Sequence, residues 1–186
     1  PTATVDPTKA PTLQVDETAS QTTGLNKAVS AEFAAAFSGS AGADGGDAAP
    51  SGYALNVTNG TASGLLDTAT GQAIYLYLNA NGVVEGRVGS GDAANANGAV
   101  AFTVAVSNTG QVTLTQKTAI KHPVDSDPDD AVSIAANKIT LEATITDRDS
   151  DTDTAQLDLG PKLSFKDDGP TATVDPTKAP TLQVDE

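Results

Sequence analysis

Eight consecutive residues, Thr146-Asp147-Arg148-Asp149-Ser150-Asp151-Thr152-Asp153, carry four carboxylates at alternate positions. Such an array repels itself unless water or a cation screens it. A hard, oxygen-seeking cation suits it best, since Ca²⁺ takes about six to eight oxygen ligands and tolerates irregular geometry. A second array, Asp125-Ser126-Asp127-Pro128-Asp129-Asp130, lies upstream, and the pairs Asp16-Glu17 and Asp167-Asp168 sit near the two ends. The expectation is that these four places bind Ca²⁺ and stiffen a β-domain. The ligands would be Asp16, Glu17, Asp125, Asp127, Asp129, Asp147, Asp149, Asp151, Asp153, Asp167 and Asp168. Asp44-Gly45-Gly46-Asp47 offers a weaker cation contact. The competing reading of each place is an ordinary solvated acidic turn.

Alternate residues of a straight strand stand roughly 6.6 Å apart, too far for one ion whose ligand bonds are about 2.3–2.6 Å. The Asp147–Asp153 segment must therefore curve to chelate. It is not a helix–loop–helix calcium loop. Thr152 stands where that motif needs Gly, and Asp158 where it needs Glu. Asp158 also alternates with Leu157 and Leu159, which points it outward from a strand.

Other chemistry has few parts. The single histidine, His122, sits in Lys121-His122-Pro123 and reads as a structural strand exit, and cysteine is absent. Zinc, thiol and serine-triad mechanisms therefore lack components, and a carboxylate pair acting on sugars would want stacking aromatics. The expectation is no enzyme. A net charge of −14 argues against nucleic acid, which needs basic footprints, and against anionic lipid. Half of the 24 acidic residues fall between Asp125 and Asp168, so the charge is concentrated where cations are expected. No apolar run reaches membrane-spanning length, so no membrane insertion is expected.

The elements that must position these carboxylates read as strands. Leu13-Gln14-Val15-Asp16 alternates; Tyr53, Leu55 and Val57 do so against Ala54, Asn56 and Thr58; Ala73 to Leu78 is a more buried run. In that run Tyr75 and Tyr77 share one face, which core packing explains better than ligand contact. Asn79-Ala80-Asn81-Gly82 and Asn108-Thr109-Gly110 read as hairpin turns. Val100, Phe102, Val104 and Val106 form another strand, as do Ile139, Leu141, Ala143 and Ile145, and Ala155 through Phe165. Val29, Phe33 and Phe37 recur every four residues among alanines, which predicts one short helix near residues 29–37. Ser38 to Gly52 reads as loop. Short alternating strands with Gly/Asn turns predict an all-β, antiparallel β-sandwich. Its core would be mostly small side chains, since the chain has no Met or Trp and only four Phe.

Residues 1–17, PTATVDPTKAPTLQVDE, recur as residues 170–186 with all 17 positions identical. This predicts one unit of a tandem array plus the opening of the next. Three prolines, Pro1, Pro7 and Pro11, make residues 1–11 an extended, stiff inter-repeat linker in this reading. Residues 12–169 would be the sandwich, and 170–186 the start of the following repeat.

The chain resembles the tandem extender repeats of giant type I-secreted, repeats-in-toxin (RTX) adhesins of Gram-negative bacteria. The matching pieces are Leu13-Gln14-Val15-Asp16-Glu17, Gly64-Leu65-Leu66-Asp67 with Gly71-Gln72-Ala73-Ile74, Gly110 to Gln116, His122-Pro123, Thr146 to Asp151, and Phe165 to Pro170. They span nearly the whole unit in the family's order. The family often has Gly where this chain has Ser150. The resemblance implies immunoglobulin-like sandwiches strung end to end, with Ca²⁺ rigidifying domains and linkers. It implies a monomeric spacer whose partners are neighbouring repeats of the same chain, at the extracellular cell surface, extending an adhesin from the outer membrane for attachment and biofilm formation. The alternative is a glycan- or protein-binding module of the same adhesin.

Overall fold

Period-two alternation dominates the chain, and the computed structural model is built on it. It describes residues 1–17, 26–124, 127, 129–168 and 174–184. The strands in chain order are β1 (Thr2–Val5), β2 (Leu13–Asp16), β3 (Lys27–Glu32), β4 (Phe37–Ser40), β5 (Gly52–Asn56), β6 (Thr61–Leu66) and β7 (Ala73–Leu78). Then follow β8 (Val84–Val88), β9 (Val100–Val106), β10 (Gln111–Gln116), β11 (Ala131–Ser133), β12 (Thr140–Thr146), β13 (Thr152–Asp158) and β14 (Leu163–Lys166). A six-stranded sheet runs β3-β10-β9-β8-β7-β6, and opposite it stand β13-β12-β5 and β11-β14-β2, with β1-β4 as a two-stranded ribbon. The expected all-β sandwich of antiparallel sheets is what forms, with one parallel pair, β2 on β14.

The second layer is organised by one long hairpin. β11 pairs with β14 and β12 with β13, both antiparallel, and Leu159 N–H to Ile139 O and Ile134 N–H to Leu163 O carry the ladder between them. The ribbon is interrupted midway by a 3-10 turn at Gly160–Lys162, where the Asp158 carboxylate accepts from Asn137 N–H at 2.8 Å and Gly160 N–H at 3.0 Å. Asp158 faces outward between buried Leu157 and Leu159, as its alternation predicts, and its carboxylate ties the two halves of the ribbon together. Gly160 is needed there because a Cβ would meet Ala135 O at 2.2 Å.

The core lies between the layers. All four phenylalanines are in it, and Phe102 of β9 meets Phe165 of β14 at 5.2 Å between ring centroids. Ile139, Leu141, Ala143, Ile145, Ala155, Leu157, Leu159 and Leu163 are buried as their alternation predicts. In β7 the inward residues are Ile74 and Leu76. Tyr75 and Tyr77 face outward, half-buried, and the Tyr75 hydroxyl donates to Asp92 O. Core packing does not account for them.

Three other expectations are corrected. The helix near residues 29–37 is absent: β3, a 3-10 turn at Ala34–Ala36 and β4 occupy that stretch. A spacing of four is a multiple of the strand period as well as close to the helix period, so Val29, Phe33 and Phe37 fit either. The exposed edge of β10 decides, because six register pairs from Gln111↔Glu32 to Gln116↔Lys27 outweigh alanine's helix preference. The loop predicted from Ser38 therefore starts after β4. Finally, residues 1–11 are not a linker but part of the sandwich. Prolines remove donors only at their own positions, leaving Thr2–Val5 free to pair with β4 and Asp6 N–H to bond Ala36 O at 2.8 Å.

The first seventeen residues run alongside β13 and β14 at a constant offset of 150. Ala3 N–H donates to the Asp153 carboxylate at 2.7 Å, and the parallel pairing runs from Leu13↔Leu163 to Lys166↔Asp16. Pro1 therefore lies at one pole of the sandwich, beside Asp147, and Asp167-Asp168 follow Lys166 at the other.

Candidate metal centre

The turn joining β12 to β13 curls as chelation would need. Asp147 N–H donates to Asp151 O at 3.0 Å, Ser150 N–H to Asp147 O at 3.2 Å, and Asp151 N–H to the Asp147 carboxylate at 2.9 Å. Ser150 takes φ 75°, the left-handed conformation in which glycine is at ease. Ser150→Gly should stabilise the chain by up to about 1 kcal/mol, read as a small rise in denaturant midpoint; a fall would show that the Ser150 side chain holds the turn.

A second loop lies against this one. Gly46 bridges to Asp147, Arg148 N–H donates to Gly45 O at 3.0 Å, and a Cβ on Gly46 would meet Asp147 Cα at 3.2 Å. The approach carries Asp44 in, so that carboxylate oxygens of Asp44, Asp147 and Asp149 all lie within 4.8 Å of one another. Ligands on one calcium ion stand no more than about 5 Å apart, given bonds of about 2.3–2.6 Å. The three fit one coordination sphere.

The electrostatics show what the cluster lacks. Asp149 is raised above the ordinary aspartate value of 3.8 by its hydrogen bond to Asp147, and then by repulsion from Asp147, burial and Asp151. Asp147 is lowered, first by that hydrogen bond from Asp149 and then by the Asp151 N–H, and its side chain is 2% exposed. The cluster thus crowds acceptor-only oxygens together, the donor set a hard cation prefers. The three carboxylates could hold a metal ion, and their all-oxygen donor set is of the kind Ca²⁺ takes.

The sign of the pH effect follows. A raised folded-state value means that Asp149 favours the fold in acid and loses that contribution as pH rises through its shifted value. Calcium bound there would have to displace that proton. The calcium-induced gain in melting midpoint should therefore be small near pH 4 and grow to a plateau above the shifted value, read by melting with calcium and with EDTA across pH 4–7. A gain independent of pH would exclude competition at Asp149.

The other expected ligands are placed differently. Asp153 belongs to β13 and caps Ala3 N–H, while Asp151 is exposed beside Asp149. Asp16 and Asp129 are both brought to the Lys166 ammonium, at 3.7 and 2.8 Å, so a cation from the chain itself joins them. Asp127 accepts from Asp129 N–H, closing a turn. Asp125 lies outside the described residues. Asp167 accepts from Asp168 N–H, and both line a depression with Glu17 and His122. Glu17 accepts from Gln116 and Ile120 N–H, and burial pushes its carboxyl up from 4.5. His122 is 7% exposed, with both ring nitrogens buried and unpartnered among the described residues.

Sequence reasoning gave Asp44 only a weak role. Its signal was Gly45-Gly46, whose φ values of 74° and 136° permit the close approach.

A family model described as domain of unknown function (DUF5801) matches residues 12–160. No curated protein and no solved structure matches the chain.

Proposed function

The chain belongs to the family described as domain of unknown function (DUF5801), and we propose that its unit is a non-catalytic, calcium-rigidified spacer. Repeated end to end, it would extend a cell-surface adhesin away from the outer membrane of a Gram-negative bacterium for attachment and biofilm formation. The observation that carries the calcium reading is the meeting of Asp44, Asp147 and Asp149 within 4.8 Å at the pole where Pro1 enters. Asp44, Asp147 and Asp149 would hold the ion, which would neutralise their mutual repulsion and tie the 44–46 loop to the β12–β13 turn. The placement of Pro1 and Asp168 at opposite poles supports the spacer reading, since units joined there add length. The adhesin setting rests on the resemblance of Thr146 to Asp151 and Phe165 to Pro170 to RTX extender repeats.

Small-angle scattering from a chain of several units tests the proposal. Calcium should lengthen and stiffen it relative to EDTA, and equal dimensions in both would overturn the spacer reading.

One observation favours a second reading. Tyr75 and Tyr77 lie on the outer face of the six-stranded sheet, opposite Arg87 and Glu85, and outward aromatics beside charged groups suit a glycan. A glycan-array signal from a single unit, lost in the Tyr75→Ala/Tyr77→Ala variant, would shift the reading to a binding module.

A further inference from the structure

Only two asparagines in the chain are followed two positions on by a hydroxyl residue, in Asn56-Val57-Thr58 and Asn59-Gly60-Thr61. Asn-x-Ser/Thr, with any residue but proline between, is the acceptor pattern that asparagine glycosyltransferases read. The fold treats the two copies of it very differently. The Asn59 carboxamide oxygen accepts from Leu78 N–H at 2.7 Å. Thr61 N–H bonds Thr58 O at 3.1 Å and Gly60 N–H bonds Leu76 O at 2.8 Å, with Gly60 at φ 79°. Asn59 is therefore folded into a closed turn, and its side chain is already used to hold the end of β7.

Asn56 stands free. It is the last residue of β5 and is exposed, as is Thr58. Neither its carboxamide nor the Thr58 hydroxyl makes a hydrogen bond among the described residues. β5 pairs with β12 and, among the described residues, has no strand on its other side. An edge of that kind lets an enzyme draw in an extended peptide through main-chain bonds. Beside Asn56 lies an open depression of about 410 Å³, lined in part by Thr58, Thr61, Asn137, Lys138 and Thr140. Hydroxyl, carboxamide and ammonium groups are the partners that sugar hydroxyls take.

We propose that Asn56 is an N-glycosylation site and that the fold excludes Asn59. The donor is a hexose activated at its anomeric carbon by a nucleotide phosphate. Asn56 Nδ2 bonds to the anomeric carbon as the bond from that carbon to the phosphate oxygen breaks. The phosphate leaves with the bonding pair, and one Nδ2 proton passes to a base of the transferase. An amide nitrogen is a poor nucleophile, because its lone pair is delocalised into the carbonyl. The step therefore needs the transferase, and Thr58 is the mark it reads. The depression beside Asn56 seats the first sugar. The inference goes beyond the spacer reading and stands whether or not calcium binds.

Peptide mass mapping of the chain recovered from the cells that make it tests the site. Fragmentation should place a hexose on Asn56 and none on Asn59. Thr58→Val should abolish the modification with Asn56 still in place, and Thr58→Ser should keep it. An Asn56 without sugar, or sugar that survives Thr58→Val, would overturn the proposal. A second measurement isolates what the fold contributes. Given nucleotide-activated glucose and a soluble asparagine glycosyltransferase, the folded chain should be modified at Asn56 alone, and a peptide of residues 52–64 at both asparagines. Equal modification of Asn56 and Asn59 in the folded chain would overturn the exclusion of Asn59.

Discussion

Phe165→Ala is expected to cost about 3–5 kcal/mol, the range for removing a fully buried phenylalanine. At about 2–4 °C per kcal/mol for a chain of this size, the melting midpoint should fall by roughly 6–20 °C. Phe165 is 0% exposed, lies on Phe102 at 5.2 Å, and has Val132 on one flanking strand and Val15 on the other as register partners. Its ring therefore joins both layers and sits under the one parallel pairing, β2 on β14. The space around it is bounded by Phe102, which itself lies so close to Gly86 that a Cβ there would stand 2.3 Å from the ring. With backbone on the far side of Phe102, the cavity has little means of collapsing. Phe165→Leu should cost less than about 1.5 kcal/mol if volume is the issue, and Leu66→Ala, at 39% exposure, should stay within about 0.5 kcal/mol. Equal losses for Phe165→Ala and Leu66→Ala would mean that the two layers do not pack as described.

The sandwich was legible because its strands alternate cleanly. Inward residues at every second position of β12 and β13 can bury only one way, so a shift by one residue would expose the whole set. Where alternation is diluted, reading failed. Val29, Phe33 and Phe37 satisfied two periods at once, and only the pairing of β3 with β10 separates them. Residues 1–11 looked like a linker because prolines announce stiffness but say nothing about partners. Their partner, β4, lies in a stretch of Gly, Ala and Ser with little pattern of its own. Tyr75 and Tyr77 alternate with Ile74 and Leu76, and in such a run both faces are apolar enough to pass for the inner one.

The candidate site was legible in half. Asp147 and Asp149 are marked by charge density alone, since a run of carboxylates must be screened by something. Asp44 is brought in by tertiary contact across about a hundred residues, and nothing local distinguishes it from Asp47. Asp16 and Asp129 illustrate the opposite error. Acidic residues near one another imply a cation, but Lys166 meets that need from within the chain, and its arrival depends on the register of β14 with β2.

Calcium supplied to the chelated protein is expected to raise its melting midpoint by about 5–11 °C per site at a hundredfold excess over the dissociation constant. At that excess mass action contributes about 2.7 kcal/mol, and the conversion for a chain of this length is about 2–4 °C per kcal/mol. Extracellular calcium modules bind at about 10⁻⁴–10⁻³ M, so roughly 10 mM calcium reaches the condition for the tighter end. Asp147→Asn should remove most of the gain while sparing the metal-free fold. An asparagine oxygen can still accept the Asp151 N–H that shapes the turn, but the charge facing Asp44 and Asp149 is gone. Asp92→Asn is the matched control. Asp92 is exposed in a different turn at φ 64°, which asparagine tolerates, and its loss should leave the gain intact. A metal without calcium's preference for many oxygen ligands should give less. A midpoint that does not move between calcium and EDTA would overturn calcium binding at this cluster, leaving the Arg148 N–H to Gly45 O bond and the Gly46–Asp147 bridge to hold the 44–46 loop against the turn.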